Sequence, residues 1–189
     1  MPLAHTRTAH VHVTLRRCTV FALGIALLAG VAAPSAAQKT GPAAVQNTIY
    51  GGAGTQRSSP DVPFVIGYLY MPPKELWTVG VDFAAEGVYT DGTYGSYTVE
   101  RAPSLNLLVG FHSRLEYGWR FGAAALLGAR LTDKDCPNSY LGYQCYADAD
   151  PTVNYGVNYG ALVHLSFKNV MLGARRTGES SQVGVGVAF

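Results

Sequence analysis

The chain has 189 residues, a length that suits one domain better than two. Charged residues make up 14% of it, about half the usual share in soluble domains, and it contains 22 Gly and 12 Tyr. The net charge is only +2 at pH 7, so no basic face is expected and no nucleic acid partner is predicted. This composition is unusual for a soluble enzyme and ordinary for a strand-rich wall that faces lipid.

The first 37 residues have the three parts of a secretory signal. A basic region that ends at Arg17 is followed by an apolar run and then by small residues at 34–37. The apolar run of about 14 residues is short for a membrane helix, which needs about 20. We therefore predict a cleaved signal peptide over 1–37 and a mature domain over 38–189, with 11 Lys and Arg against 12 Asp and Glu.

Beyond the signal, apolar or aromatic residues alternate with small or polar ones in repeated segments. In the terminal stretch Gln182–Phe189, three Val and one Phe share one face, and Gln, Gly and Ala share the other. A period of two predicts β-strands, and this combination of faces is typical of strands between lipid and a narrow lumen. The segments lie near 47–55, 64–71, 77–86, 102–112, 117–130, 154–167, 170–175 and 182–189.

These segments predict an all-β fold, an eight-stranded antiparallel transmembrane β-barrel. Eight strands make the smallest closed membrane barrel, and closure leaves no unpaired sheet edge in lipid. Connections near 71–75, 113–114 and 168–169 are short, whereas those at 87–96 and 132–151 are longer. Because short turns face the periplasm in such barrels, we expect both termini to be periplasmic and the two long loops to be external.

Two cysteines, Cys136 and Cys145, lie in the longest predicted loop, in a chain expected to enter an oxidising compartment. This location predicts a disulfide that stiffens an exposed loop. The alternative of a metal or redox pair lacks both a second pair of ligands and a CxxC spacing. We therefore expect no metal and no cofactor.

The same alternation points charged and amide side chains from several strands into the lumen. The predicted polar network consists of Asp82, Glu86, Glu100, Asn106, His112, Glu116, Arg120, Arg130, Asn154, Asn158, His164 and Arg175. Because both signs of charge share a narrow interior, we expect them to pair. Two interpretations stay open, namely a plugged lumen without a channel and a narrow gated pore whose ion pairs exchange partners.

Together these features resemble the small OmpA-type outer-membrane barrel family, which is porin-like in architecture. The resemblance covers about Asn47 to Phe189 and is carried by the signal segment, the alternating strands and the terminal run Val183–Phe189. It implies an outer-membrane location in a Gram-negative-type cell, contact with outer-membrane lipids, and a terminal aromatic, Phe189, read by the barrel-insertion machinery. Because this scaffold hosts many activities, we expect only a structural or surface-interacting role, with a surface ligand held by the external loops.

A second resemblance concerns His164-Leu-Ser166 and the later Glu179, which resemble the His-x-Ser and Glu of outer-membrane lipid A deacylases. Such a set would hydrolyse an acyl ester, with the histidine activating the serine and the glutamate orienting the histidine. However, Phe167 stands where that family has Asn, and the predicted topology puts His164 and Glu179 at opposite ends of the barrel. We therefore favour a protein without catalytic activity and keep the deacylase as an alternative.

A further alternative is a soluble calycin-like barrel that binds a small apolar ligand. It would reverse the two faces of each strand, with bulky side chains inside and polar ones in water. The glycines and charges on the second face argue against this reversal.

Overall fold

The computed structural model describes residues 46–93, 96–136 and 150–189, apart from the side chain of Glu116. The strands are β1 Gln46–Gln56, β2 Phe64–Met71, β3 Trp77–Ala85, β4 Val88–Asp91, β5 Tyr97–Glu100, β6 Pro103–Arg114, β7 Trp119–Asp135, β8 Thr152–Phe167, β9 Val170–Thr177 and β10 Ser180–Ala188. A short 3₁₀ turn at Glu116–Gly118 precedes β7. The described part of the chain contains no helix that could span a membrane.

Eight of these strands close into an antiparallel barrel, which confirms the predicted fold class. Their order around the barrel is β1–β2–β3–β6–β7–β8–β9–β10, and β10 pairs with β1 to complete the circle. Each wall strand is therefore hydrogen-bonded on both sides, as a sheet in an apolar solvent requires.

The segment 87–96, predicted to be a loop, contains β4, which forms a short hairpin with β5 directly after the segment. β4 also runs parallel to the end of β7, where residues 90–91 pair with 133–134. This pairing is available because β7 extends beyond its last pair with β6, at Arg130. The hairpin strands have only four residues each, too few for an alternation of faces to stand out in the sequence.

The two ends of the barrel differ in their connections. We call the end that carries the β4–β5 hairpin and the extended parts of β7 and β8 the loop end. The opposite end, with the connections at 72–76 and 168–169, is the turn end. β1 begins and β10 ends at the turn end, where Asn47 N donates a hydrogen bond to Phe189 O at 3.1 Å.

The outer face of the wall is apolar. On β6, Leu105, Leu107 and Val109 are 64%, 50% and 55% exposed, whereas Asn106 and Leu108 between them are 1% exposed or less. Every wall strand contributes to this surface, which we call the apolar band: Ile49, Ile66, Val81, Phe83, Leu105, Leu107, Val109, Leu127, Val163, Leu165, Leu172 and Val183.

The alternation predicted an interior filled by small and polar side chains. The structure also places large apolar side chains there. Tyr50, Leu69, Leu108, Leu162 and Met171 are buried together near the middle of the barrel, and we call them the mid-lumen apolar layer. The reason is packing density, because a barrel this narrow must be filled by side chains to the usual density of a protein interior. Large side chains are therefore matched by glycines on neighbouring strands.

Gly110 on β6 shows how closely some strands approach each other inside the barrel. A Cβ atom there would lie well inside the contact distance of the Ala123 carbonyl oxygen and the Ala124 Cα. We expect Gly110→Ala to lower the free energy of unfolding by about 1–3 kcal/mol, because backbone atoms cannot move aside as a side chain could. Urea unfolding in detergent micelles measures the change.

Gly178, in the turn between β9 and β10, provides the control, since a Cβ atom there would meet nothing within 4 Å. Gly178→Ala should leave the urea midpoint almost unchanged. Equal urea midpoints for the two variants would show that the strands at Gly110 accommodate a methyl group without a loss of stability.

Candidate functional site

The loop-end half of the lumen holds a buried ionic cluster. Arg175 on β9 contacts Asp82 on β3 through Nε and Oδ2 at 2.9 Å, and Glu86 through Nη1 and Oε2 at 2.9 Å. The arginine side chain is 2% exposed and both carboxylate side chains are 0% exposed. Because β3 and β9 are four strands apart in a barrel of eight, the guanidinium joins opposite walls across the lumen.

Uncharged side chains complete the shell around the two carboxylates. Asp82 accepts hydrogen bonds from Tyr50 Oη at 3.1 Å and from Asn106 Nδ2 at 2.7 Å. Glu86 accepts them from a further group of side chains: Ser104, Asn158, Thr177 and Ser180. This arrangement matches two ionised carboxylates, which only accept hydrogen bonds.

A second ion pair lies beside the cluster, closer to the loop end. Arg130 on β7 donates through Nη2 to Glu179 Oε1 at 2.9 Å and through Nη1 to the Val88 carbonyl oxygen at 2.8 Å. The Arg130 and Glu179 side chains are 14% and 29% exposed. The pair thus connects β7, the β4 hairpin and the turn before β10, and it covers the ionic cluster from the loop end.

The turn-end half of the lumen holds a separate polar group. Thr78 Oγ1 and His112 Nδ1 are 2.9 Å apart, within hydrogen-bond distance. His164 packs over Gly122, and both of its ring nitrogens lack a hydrogen-bond partner among the described residues, as does Ser166 Oγ. Leu108 lies between Asn106 and His112 along β6, and Leu162 lies between Asn158 and His164 along β8, so the mid-lumen apolar layer separates this group from the ionic cluster. The lumen therefore contains two polar regions rather than one network.

The predicted network residues are distributed as follows. The structure brings together Asp82, Glu86, Asn106, Asn158 and Arg175. It places Arg130 in the covering ion pair, and His112, Arg120 and His164 at the turn end. The side chain of Glu116 lies outside what the structure describes.

The prediction of a position in the lumen is wrong for two residues, Glu100 and Asn154, since both are exposed. Glu100 lies on β5 of the hairpin, which is not a wall strand. Asn154 lies where β8 extends past the barrel, and its Nδ2 donates to Asp133 Oδ2 at 3.3 Å. Alternation continues where a strand extends beyond the barrel. It therefore predicts the face of the strand on which a side chain lies, but not whether that face is enclosed by the barrel.

Several residues of the ionic cluster were not singled out from the sequence. Tyr50, Ser104, Thr177 and Ser180 all donate to its carboxylates. Each has the inward position in its strand, but a hydroxyl on that face does not differ visibly from an ordinary small or aromatic residue. The usable signal was the position of Thr177 two residues after Arg175, on the same face.

The structure does not bring together the residues of the deacylase alternative. The Glu179 carboxylate accepts a hydrogen bond from Arg130 near the loop end, whereas the His164 ring nitrogens make no hydrogen bond to it or to Ser166. A serine–histidine–glutamate relay needs heavy-atom separations of about 3 Å. Among the described residues, no group of three or more His, Cys, Asp or Glu is placed to hold a metal ion.

The hairpin and the extended end of β7 form a platform at the loop end. Lys134 Nζ lies 5.8 Å from the centre of the Tyr89 ring. The hydroxyl and backbone N–H of Thr93 donate to Asp91, which lowers the pKa of this carboxyl below its ordinary value. Cys136 directly follows β7 at the outer end of the platform, but Cys145 lies in 137–149, outside the described residues, so their disulfide stays a prediction.

The fold thus defines the class of this protein as a closed eight-stranded antiparallel barrel with a filled interior. No family model matches the chain, and no curated protein matches it significantly. Among solved structures, the chain is similar to the outer membrane protein Ail of Yersinia pestis, whose backbone structure was determined in a phospholipid bilayer nanodisc. The two are 16% identical with a TM-score of 0.42, and the match covers 77% of this chain and 100% of that one. At this identity and score, the similarity carries no information on function.

Proposed function

We propose that this protein is an outer-membrane β-barrel with a closed lumen and a structural or surface-contact role. The apolar band carries the proposal. Aliphatic and aromatic side chains are exposed on all eight wall strands, whereas the buried charges point inward. A water-soluble monomer rarely exposes an apolar patch larger than about 600 Å², so a continuous apolar girdle favours lipid as the surrounding solvent.

The aromatic residues support a definite orientation in the bilayer. Trp77, Phe111 and Trp119 are exposed at the turn end, and Tyr155 and Tyr159 toward the loop end. Amphipathic rings concentrate at the two water–lipid boundaries, so the apolar band spans the hydrocarbon between them. We place the turn end and both termini in the periplasm and the loop end outside the cell, and we assign Phe189 to recognition by the insertion machinery.

A closed lumen is favoured over a gated pore by the order of side chains along the barrel axis. An ion that entered from the loop end would meet the Arg130–Glu179 pair, then the cluster of Arg175, Asp82 and Glu86, and then the mid-lumen apolar layer. Exchange of ion-pair partners could open the first two barriers but not the third, because apolar side chains offer a dehydrated ion no partner. The lumen is therefore assigned a structural role.

The loop end is the part that we assign to contacts outside the cell. The β4–β5 hairpin and the extended end of β7 hold a small sheet beyond the barrel wall, with Tyr97 exposed on it. Residues 137–149 connect to this platform and include Cys145, the predicted partner of Cys136. A sheet that is anchored to the wall presents a connecting loop with less loss of conformational entropy on binding than a free loop does.

Two measurements test this proposal. Folded protein in planar bilayers should give no discrete conductance steps, and protease added to intact cells should cleave the chain only between residues 137 and 149. Regular conductance steps from folded protein would replace the closed lumen with the gated pore. Cleavage that requires a permeabilised outer membrane would reverse the orientation, and recovery of the protein in buffer without detergent would contradict membrane insertion itself.

A further inference from the structure

Two arginines lie on the outer surface near the loop-end rim. Arg176 is exposed on β9, directly after the inward-facing Arg175, so the two neighbours occupy opposite faces of one strand. Arg57 is exposed immediately after the end of β1. An outward arginine at this level is unusual for a wall that is otherwise apolar, and it therefore needs a partner outside the barrel.

The strand register puts these arginines close to each other. Ser181 on β10 pairs with Arg176 on one side and with Thr55 on the other, and Arg57 N donates to the Glu179 carbonyl oxygen at 3.1 Å. Neighbouring strands are about 4.8 Å apart, and Arg57 lies two residues beyond Thr55, so the arginine backbones are separated by roughly 12 Å. Two long side chains can converge on one small group across that distance, with the hydroxyls of Thr55 and Ser181 between them.

Neither side chain has an ion-pair or hydrogen-bond partner among the described residues, unlike other arginines at this end. Arg101 contacts Asp61 at 2.8 Å, and Arg130 contacts Glu179 at 2.9 Å. The neighbouring acid, Glu179, is thus already paired with an arginine on the lumen side. The outer surface at this place carries two positive charges with no acidic side chain of the described chain to balance them.

An aliphatic surface continues from the basic pair toward the middle of the barrel. Val163, Leu172 and Val183 of the neighbouring strands belong to the apolar band and are exposed. Basic groups above an aliphatic wall are complementary to an amphiphile with an anionic head and an acyl chain. Two guanidinium groups and two hydroxyls favour a phosphate head, whose several oxygens can accept all of these hydrogen bonds.

We propose that Arg57 and Arg176, with the hydroxyls of Thr55 and Ser181, bind the phosphate of an anionic lipid in the bilayer leaflet at the loop end. The inference rests on the proposed membrane insertion. The phosphate accepts hydrogen bonds from both guanidinium groups, and the acyl chains of the lipid lie along Val163 and Leu172. The site therefore holds one lipid at a fixed position on the barrel circumference.

The test uses the full mature chain in phosphatidylcholine nanodiscs that contain a minority of phosphatidic acid, with retained lipid counted by native mass spectrometry. The Arg57→Gln, Arg176→Gln double variant should retain phosphatidic acid less well by about fivefold for each arginine removed. The control is the Lys74→Gln, Lys168→Gln double variant, which removes the same charge at the turn end and should retain the lipid like the unmodified chain.

Two further arms identify what is bound. Oleate at the same surface charge should be retained equally by the double variant and the unmodified chain, and inorganic phosphate in neutral detergent should not compete with phosphatidic acid at millimolar concentration. If the double variant lost oleate as strongly as phosphatidic acid, the arginines would attract any anionic lipid through charge alone. If inorganic phosphate competed efficiently with phosphatidic acid, the site would be one for free phosphate. Either result, or unchanged retention of phosphatidic acid, overturns the proposal, whereas failure to enter nanodiscs would contradict the membrane assignment instead.

Discussion

Arg175→Met is expected to lower the free energy of unfolding by about 3–5 kcal/mol. Arg175 is the described cation that contacts both Asp82 and Glu86, and all three side chains are buried. Methionine keeps much of the volume but leaves two carboxylates side by side without a positive charge. Water cannot reach the two carboxylates through the surrounding shell. Their mutual repulsion and their loss of hydration therefore raise the free energy of the folded state.

The neighbouring residue provides a matched control. Arg176→Met removes the same charge one position along β9, on the outer face. In zwitterionic detergent, where no anionic lipid is present, this variant should unfold within about 0.5 kcal/mol of the unmodified chain. Urea midpoints followed by the mobility shift of folded barrels on gels give both values.

Equally large losses for Arg175→Met and Arg176→Met would contradict the ionic cluster as the structure shows it. A small loss for both would mean that the carboxylates have other compensation. A triple variant with Asp82→Asn and Glu86→Gln added to Arg175→Met separates the charge from the packing. It should recover part of the loss, because uncharged amides no longer need the guanidinium.

Leu107→Arg is expected to destabilise the folded barrel in phospholipid vesicles by about 2–4 kcal/mol. Leu107 lies near the centre of β6, is 50% exposed, and pairs with Val81 and Leu127 of the neighbouring strands. If the apolar band faces lipid, the new charge lies near the middle of the bilayer, where arginine is most costly. If the band faced water, the same substitution would be neutral or would improve solubility.

Thr98→Arg is the control for this change. Thr98 is exposed on β5, beyond the barrel wall, so an arginine there stays in water. Its unfolding free energy in vesicles should match that of the unmodified chain. Equal behaviour of the two variants would remove the main support for membrane insertion and restore the soluble barrel as an alternative.

The hydrogen bonds of the ionic cluster explain why buried charges of this kind are tolerated. A buried ion pair contributes little net stability, because the loss of hydration offsets most of the Coulomb attraction. Here Arg175 and Thr177 of β9 donate five hydrogen bonds to Asp82 and Glu86, and all five would be lost in an opening that separated β3 from β9. The cluster therefore favours one closed arrangement of the wall over others.

The alternation of side chains was enough to predict the fold class. A period of two assigns each residue to one of two faces, and in segments such as 103–112 and 182–189 the bulky apolar face was unambiguous. The number of such segments then limited the barrel to eight strands, because in a membrane barrel both edges of the sheet must pair. Asp82, Asn106 and Arg175 were assigned to the lumen by the same rule.

The height of each side chain along the barrel axis could not be predicted from the alternation. Alternation cannot say that Arg175 meets Asp82 and Glu86 while His164 lies apart beyond the mid-lumen apolar layer. Those heights depend on the stagger between strands, which is set by pairings such as Gly54↔Gln182 and Asp82↔Asn106 between residues far apart in the chain. The face of a side chain is a local property of its strand, whereas its height is a property of the closed sheet. The alternation in the chain is therefore enough to predict the wall and its two faces, but not which side chains meet inside it.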